Sequence, residues 1–369
     1  MRPRIYISDL RDGYTEQIRR GLEYVRFGQR IKPGDTVFFK PNLTFPVFRK
    51  GVMTNPACVE SLVIALKDYT HRIIVGEADS GGYNRFNISE VFQKTGINAL
   101  EQKYGVRAVN LSFFPKEPVH FDYKGRSFEL LLPTMLLHEV DQFITVPVPK
   151  VHMNTQMSVA IKNQWGCIPE PTVRLKLHPF FEKVIYEVNK NIRANMAVVD
   201  GRYGLNHNGP MVGDVVELNW IMVTDSLLAT DVAVCRLMQI NPLDVYYLKY
   251  IDRREEQLPK LEEIEFSQDY KPFIGPRFYL QPSVTDRLCR VPFRSPFFSY
   301  LAYFSPLADF LHKLLYLVRE PMYNYEAPGL TQVEESESRQ EVITGANSSS
   351  AQQLGSQEAN LELDERTTR

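Results

Sequence analysis

Residues 141–181 read DQFITVPVPKVHMNTQMSVAIKNQWGCIPEPTVRLKLHPFF. The run over 143–148 is short and apolar, the pattern of a strand buried on both faces of a sheet. Pro147 and Pro149 have no N–H to give a neighbouring strand, so the strand is expected to stop there. Lys150, His152 and Asn154 follow directly. A helical segment comes next, with Met157, Ile161, Gln164 and Trp165 on one side and Lys162 and Asn163 beside it. Pro169 and Pro171 break that helix, and His178 precedes Pro179. Lysines, histidines and amides gathered so closely suit an anionic or metal-bound ligand better than a core. They also suit a solvated loop that happens to carry charge.

The alternation of apolar runs with helical periods extends in both directions. Strands are expected over 5–8, 36–39, 72–76, 107–111, 196–199 and 220–223, and helices over 15–27, 88–95, 179–190 and 228–238. Another helix begins at Asn55-Pro56, with Asn55 as N-cap and Pro56 at the first helical position, and Val59, Leu62, Val63 and Leu66 form its buried face. Asn241-Pro242 caps one more. Over 118–132, Phe121, Tyr123, Phe128 and Leu130 flank Lys124-Gly125-Arg126, the pattern of an antiparallel hairpin. Residues 204–210 show no apolar periodicity and read as a loop. The expected fold class is α/β, a mostly parallel sheet flanked by helices with an inserted β-hairpin. An α/β domain over 1–253 is expected to be followed by an aromatic and basic arm over 254–330. The tail over 331–369, dominated by Ser, Gln, Glu and Asn, is expected to be disordered.

At 369 residues, 44% hydrophobic and 24% charged, the chain has the composition of an ordinary globular protein. Its net charge of −1 is unevenly spread: residues 331–369 hold 8 acidic and 3 basic residues, leaving a mildly basic body. That excess is too small to argue for nucleic acid as a partner. The four cysteines (Cys58, Cys167, Cys235 and Cys289) are far apart and form no Cys-x-x-Cys pair, so no iron–sulfur cluster is expected and buried thiols are. No signal-peptide core and no apolar run of transmembrane length is present, and a cytoplasmic location is the default expectation. Within 271–320 an uncharged aromatic run is flanked by arginines and lysines. This segment is expected either to dock on the body or to make peripheral contact with a membrane.

Strand after strand ends in a polar cluster: Lys40 and Asn42, Glu77 and Asp79, Lys150 and His152, Asp200, Asp225. In an open parallel sheet the carboxyl ends share one edge, and ligands bind in the crevice there. Turn formers such as Asp200-Gly201 are expected at any strand end, whereas lysines are not called for by turn chemistry. Gly-x-Gly-x-x-Gly, Walker A, His-Glu-x-x-His and Gly-x-Ser-x-Gly are absent, which removes support for dinucleotide, nucleoside-triphosphate, zincin and serine-hydrolase readings.

With these residues in view, the chain resembles the family called domain of unknown function 362. The likeness rests on FFKPNL (38–43), TNP (54–56), VPVPKVH (146–152), AIKNQWGCIP (160–169), His178, VVDG (198–201) and HNGPMVG (207–213), over about residues 36–245. The resemblance points to Lys40, Asn42, Lys150, His152, Lys162 and Asn163, and implicates Asp200, Asn208 and Gly209. Many members append a ferredoxin-like segment, which this chain lacks.

The expectation is therefore a small anionic molecule, a carboxylate or phosphate, at the carboxyl edge of the sheet. In an enzyme, Lys150, His152 and Lys162 would be catalytic, with Lys40, Asn42, Asn163, His178, Asn208 and Gly209 binding substrate. Asp79 and Asp200 would orient His152 or hold a divalent cation. The alternative is a non-catalytic accessory protein recruited to a membrane surface by the arm.

Overall fold

The computed structural model describes residues 2–80, 86–282 and 284–317. The expected tail over 331–369 lies outside them. The strands are β1 (Arg4–Asp9), β2 (Val37–Pro41), β3 (Ile73–Glu77), β4 (Arg107–Asn110), β5 (Lys116–Tyr123) and β6 (Arg126–Pro133). They continue with β7 (Gln142–Val146), β8 (Lys150–His152), β9 (Gln156–Ser158), β10 (Met196–Asn206), β11 (Asp214–Thr224) and β12 (Glu265–Phe266).

One sheet runs in the order β12-β1-β11-β10-β7-β2-β3-β4, with β8 and β9 attached beside β10. β10, β7, β2, β3 and β4 pair in parallel, and β12 is parallel to β1. β11 alone on this path is reversed, pairing antiparallel with both β1 and β10. Every residue of β2, β3 and β7 is buried, as their continuous apolar runs require. The structure is α/β with a mostly parallel sheet flanked by helices. β5 and β6 form a separate hairpin whose turn, Lys124-Gly125, has positive φ at both residues. Phe128 of this hairpin meets Phe180 at 4.7 Å, seating it against helix Phe181–Ile192.

The reversal of β11 corrects one reading. Asp225 follows Thr224 at the end opposite the other carboxyl termini, where it accepts from the N–H of Arg4 and pairs with Arg30 at 2.6 Å. It belongs to the far edge of the sheet. Three local readings also change. β10 extends through Asn206, absorbing part of the expected loop over 204–210 by pairing with β11. The helix expected around 157–165 starts only at Ala160, because Gln156–Ser158 returns as β9 against β8. Buried Asp231 accepts the N–H groups of Ala160 and Ile161 and so satisfies that helix start. Finally, Pro147 does end β7, but pairing resumes at Lys150, so Lys150 and His152 stand on a strand.

Beyond residue 253 the chain returns to the body. β12 pairs with β1, Phe278 is buried in the core, and Ser299 Oγ donates to Leu175 O at 3.1 Å.

Candidate active site: a cationic cleft at the carboxyl edge

From β2 the chain moves outward through β3 to β4, then returns to place β7 on the other side of β2. The crevice between β2 and β7 is thus a topological switch point, where loops diverge and leave a cavity. Asn163 bridges it: Nδ2 donates to Lys40 O of β2 at 3.2 Å and to Thr145 Oγ1 of β7 at 2.8 Å. A cleft of about 230 Å³ opens there, lined by Lys40, Asn42, Glu77, Lys150, His152, Asn154, Lys162, Asn163, Arg174 and His178, with Trp165, Met211 and Phe293 among its apolar residues.

Each polar residue arrives by a local rule. Lys40 lies near the end of β2 and Glu77 ends the adjacent β3, and their side chains meet at that edge: Lys40 Nζ lies 2.5 Å from Glu77 Oε2, both buried. Gly166 permits this pair, since a Cβ there would sit 2.5 Å from Glu77 Oε1 and 2.7 Å from Lys40 Nζ. On β8 alternation does the work. Lys150 and His152 share one face and point to the cleft, while Val151 faces the core. Asn42 donates to Val52 O, and Thr54 links the N–H of Asn42 to Val146 O, tying the ends of β2 and β7 together.

The electrostatics are lopsided. Among the described lining residues Glu77 is the only carboxylate, and Lys40 uses it. Among the described residues, Lys150 Nζ donates only to Val52 O at 2.7 Å. Lys162 Nζ has no hydrogen-bond or carboxylate partner among the described residues and lies over the rings of Phe181 and Trp165 at 5.4 and 5.9 Å. Burial, then the charge of Lys40, lowers Lys150 to about 7. Burial, then the charges of Lys150 and Arg174, lowers Lys162 to about 7 as well.

Both histidines are held neutral. Burial, then Lys162 and Lys150, push His152 well below its ordinary range, and burial followed by Lys162 takes His178 to about 3. Their tautomers follow from their partners. Asn154 N–H donates to His152 Nδ1, leaving Nε2 protonated, whereas His178 Nδ1 donates to Arg174 O, leaving Nε2 as an acceptor. Buried Asn154 Oδ1 has no hydrogen-bond partner among the described residues.

The structure brings Lys40, Asn42, Lys150, His152, Lys162, Asn163 and His178 together and leaves four sequence candidates out. Asn208 is exposed and does not line the cleft. Gly209 packs its backbone on β8, where a Cβ would lie 2.0 Å from Val151 O, and only its neighbours Pro210 and Met211 reach the cleft. Asp79 accepts from Ile88 N–H and Asn110 Nδ2, and Asp200 from Tyr14 OH, Asn55 N–H and Arg202 N–H. Both carboxylates thus face N–H and O–H donors, and neither lines the cleft. No group of three metal-ligating side chains exists among the described residues. Sequence reading missed Arg174, buried and donating to Ile168 O and Gly166 O, and Phe293, whose ring stands 4.7 Å from that of His178. Neither carries a local signal, since both reach the cleft through tertiary packing.

The thylakoid-associated protein sll1697 of Synechocystis sp. is 24% identical over 225 residues, which is 59% of this chain and 67% of that protein. Two solved structures share weaker likeness. One is a Thermotoga maritima protein with 14% identity and a TM-score of 0.36, covering 55% of this chain and 53% of its own. The other is the lactate racemase apoprotein from Thermoanaerobacterium thermosaccharolyticum, with 13% identity and a TM-score of 0.42, covering 64% and 57%. The chain thus spans little more than half the length of either structure. Residues 37–236, which carry β2 through most of the helix after β11 and hold nearly all of the cleft, match the family described as Domain of unknown function (DUF362), and the chain belongs to it.

Proposed function

We propose that the cleft binds a small molecule bearing a carboxylate or phosphate and moves a proton on it. The observation that carries this is the pair Lys150 and Lys162, two ammonium groups lining one cleft, Lys150 buried and Lys162 half-buried, with no carboxylate partner of their own among the described residues. Burying like charges costs stability and offers the fold nothing in return, unless an anion completes the site.

The roles differ from those expected of the residue types alone. Lys40 is neutralised by Glu77 and orders the wall rather than holding ligand. His152, kept neutral, serves as an Nε2–H hydrogen-bond donor, and His178 as an acceptor. Within the cleft the groups brought to about 7 are Lys150 and Lys162, so they are the proton carriers. Arg174 adds fixed positive charge to the wall. The unpaired Asn154 Oδ1 favours a ligand with a hydroxyl or amine beside its anionic group.

A second reading, an accessory protein at a membrane, draws on the thylakoid association in the name of one relative and on the internal pairing of Lys40, Asn42 and Asn163. Isothermal titration calorimetry with sulfate and malonate tests the binding reading. Lys162→Met is expected to weaken affinity at least about tenfold, the effect of about 1.4 kcal/mol. Hydrogen–deuterium exchange of small hydroxy acids in heavy water, followed by proton NMR, tests the proton transfer. Anion binding with no exchange on any such acid favours the accessory role, and no anion binding at all refutes both parts of the proposal.

A further inference from the structure

Outside the cleft, the largest unexplained feature is the outward face of residues 284–317. Helix Pro296–Tyr303 turns Phe297 and Tyr300 to solvent, and helix Ala308–Tyr316 turns out Phe310 and Leu314, with Leu317 just beyond it 80% exposed. Phe310, Leu314 and Leu317 are spaced i, i+4, i+7 and form one stripe. The two helices pack together, with the rings of Tyr303 and His312 5.7 Å apart and His312 Nε2 at 3.0 Å from Ala302 O, so their exposed residues belong to one helical pair. A monomer rarely leaves so much contiguous aromatic and leucine surface in water.

The charges around it are one-sided. Arg287, Arg294 and Lys313 are exposed, whereas Asp309 is the only exposed acid among the described residues of this segment, Asp286 being buried. We propose that this face seats on an anionic lipid bilayer, with its aromatic and leucine side chains in the interface and its cations against the headgroups. No helix of the described residues is long and apolar enough to cross a membrane, so the contact is peripheral. The chain's own tail is a poor alternative occupant: residues 331–369 are acidic but contain no aromatic residue to fill an aromatic face. A second copy is disfavoured because a two-fold contact would set the same cations against one another.

Vesicle co-sedimentation of the full chain tests this, using phosphatidylcholine with and without phosphatidylglycerol. Binding is expected only with phosphatidylglycerol and should weaken in high salt. Lys313→Gln should weaken it about fivefold. Phe310→Glu with Leu314→Glu should abolish it while thermal unfolding stays unchanged, and Leu317→Glu alone provides a milder variant at the most exposed position. Equal sedimentation of these variants and the native chain overturns the proposal. So does failure of the native chain to bind, or a concentration-dependent dimer in sedimentation velocity that the double variant disrupts.

Discussion

Replacing Lys150 by methionine should make the protein more stable. Burial and neighbouring charge lower this lysine from an ordinary 10.5 to about 7. At about 1.4 kcal/mol per tenfold change in proton affinity, keeping its ammonium inside the fold costs up to about 4–5 kcal/mol below pH 7. Methionine follows the lysine stem, one atom shorter and without the charge. The substitution gives up the bond to Val52 O, with charged-donor bonds contributing about 1.5–3 kcal/mol, though Val52 O keeps its bond from Asn42 Nδ2. The expected net gain is about 1–3 kcal/mol at pH 6. The folded chain releases this proton near pH 7, while the unfolded chain holds it to about 10.5, so unfolding takes up a proton between those values. Native stability therefore rises with pH across that window, and the advantage of Lys150→Met shrinks toward zero by about pH 9–10. Urea denaturation of both proteins at pH 6 and pH 9 reads this directly. A variant less stable than the native chain at pH 6 would refute the reasoning, because the ammonium would then be held by attraction.

Other consequences can be checked alongside. Affinity for sulfate, whose charge is constant over the range, should be greatest below pH 7 and fall as pH rises above it. Lys150 and Lys162 must then gain protons to bind, and calorimetry in two buffers should detect the uptake. Gly166→Ala should cost about 1–3 kcal/mol, since its Cβ would press on the buried ends of Lys40 and Glu77, and the thermal midpoint measures it. Asp200→Asn should cost about 1–3 kcal/mol, because an amide N–H2 would face a donor from Tyr14, Asn55 or Arg202. Adding magnesium or calcium should leave the thermal midpoints of both native and variant proteins unchanged, in keeping with a structural carboxylate.

Local pattern carried much of the architecture. Asn55 accepts from Ala57 N–H as an N-cap, Pro56 opens its helix, Pro147 ends β7, and the 118–132 pattern folds as a hairpin. These are decisions made by a few neighbouring residues, so a few residues reveal them. Strand direction is different: nothing in the apolar run of β11 marks it as reversed, so the run alone points Asp225 to the wrong edge. In the cleft, residue types and strand ends sufficed to gather the lysines and histidines. Their chemistry did not follow, since the protonation of His152 depends on burial and on the neighbouring charges of Lys162 and Lys150. The pairing of Lys40 with Glu77, 37 residues apart, depends on β2 and β3 ending side by side in the sheet. Arg174 and Phe293 enter only through packing.

The central claim is that this cleft holds two lysines awaiting an anion, and their titration tests it most directly. Isotope-labelled lysine side chains can be followed by NMR, with Lys150→Met and Lys162→Met supplying the assignments. In the ligand-free protein both should titrate near 7, and sulfate should shift both upward. Two lysines titrating near 10.5 and indifferent to sulfate would contradict the account.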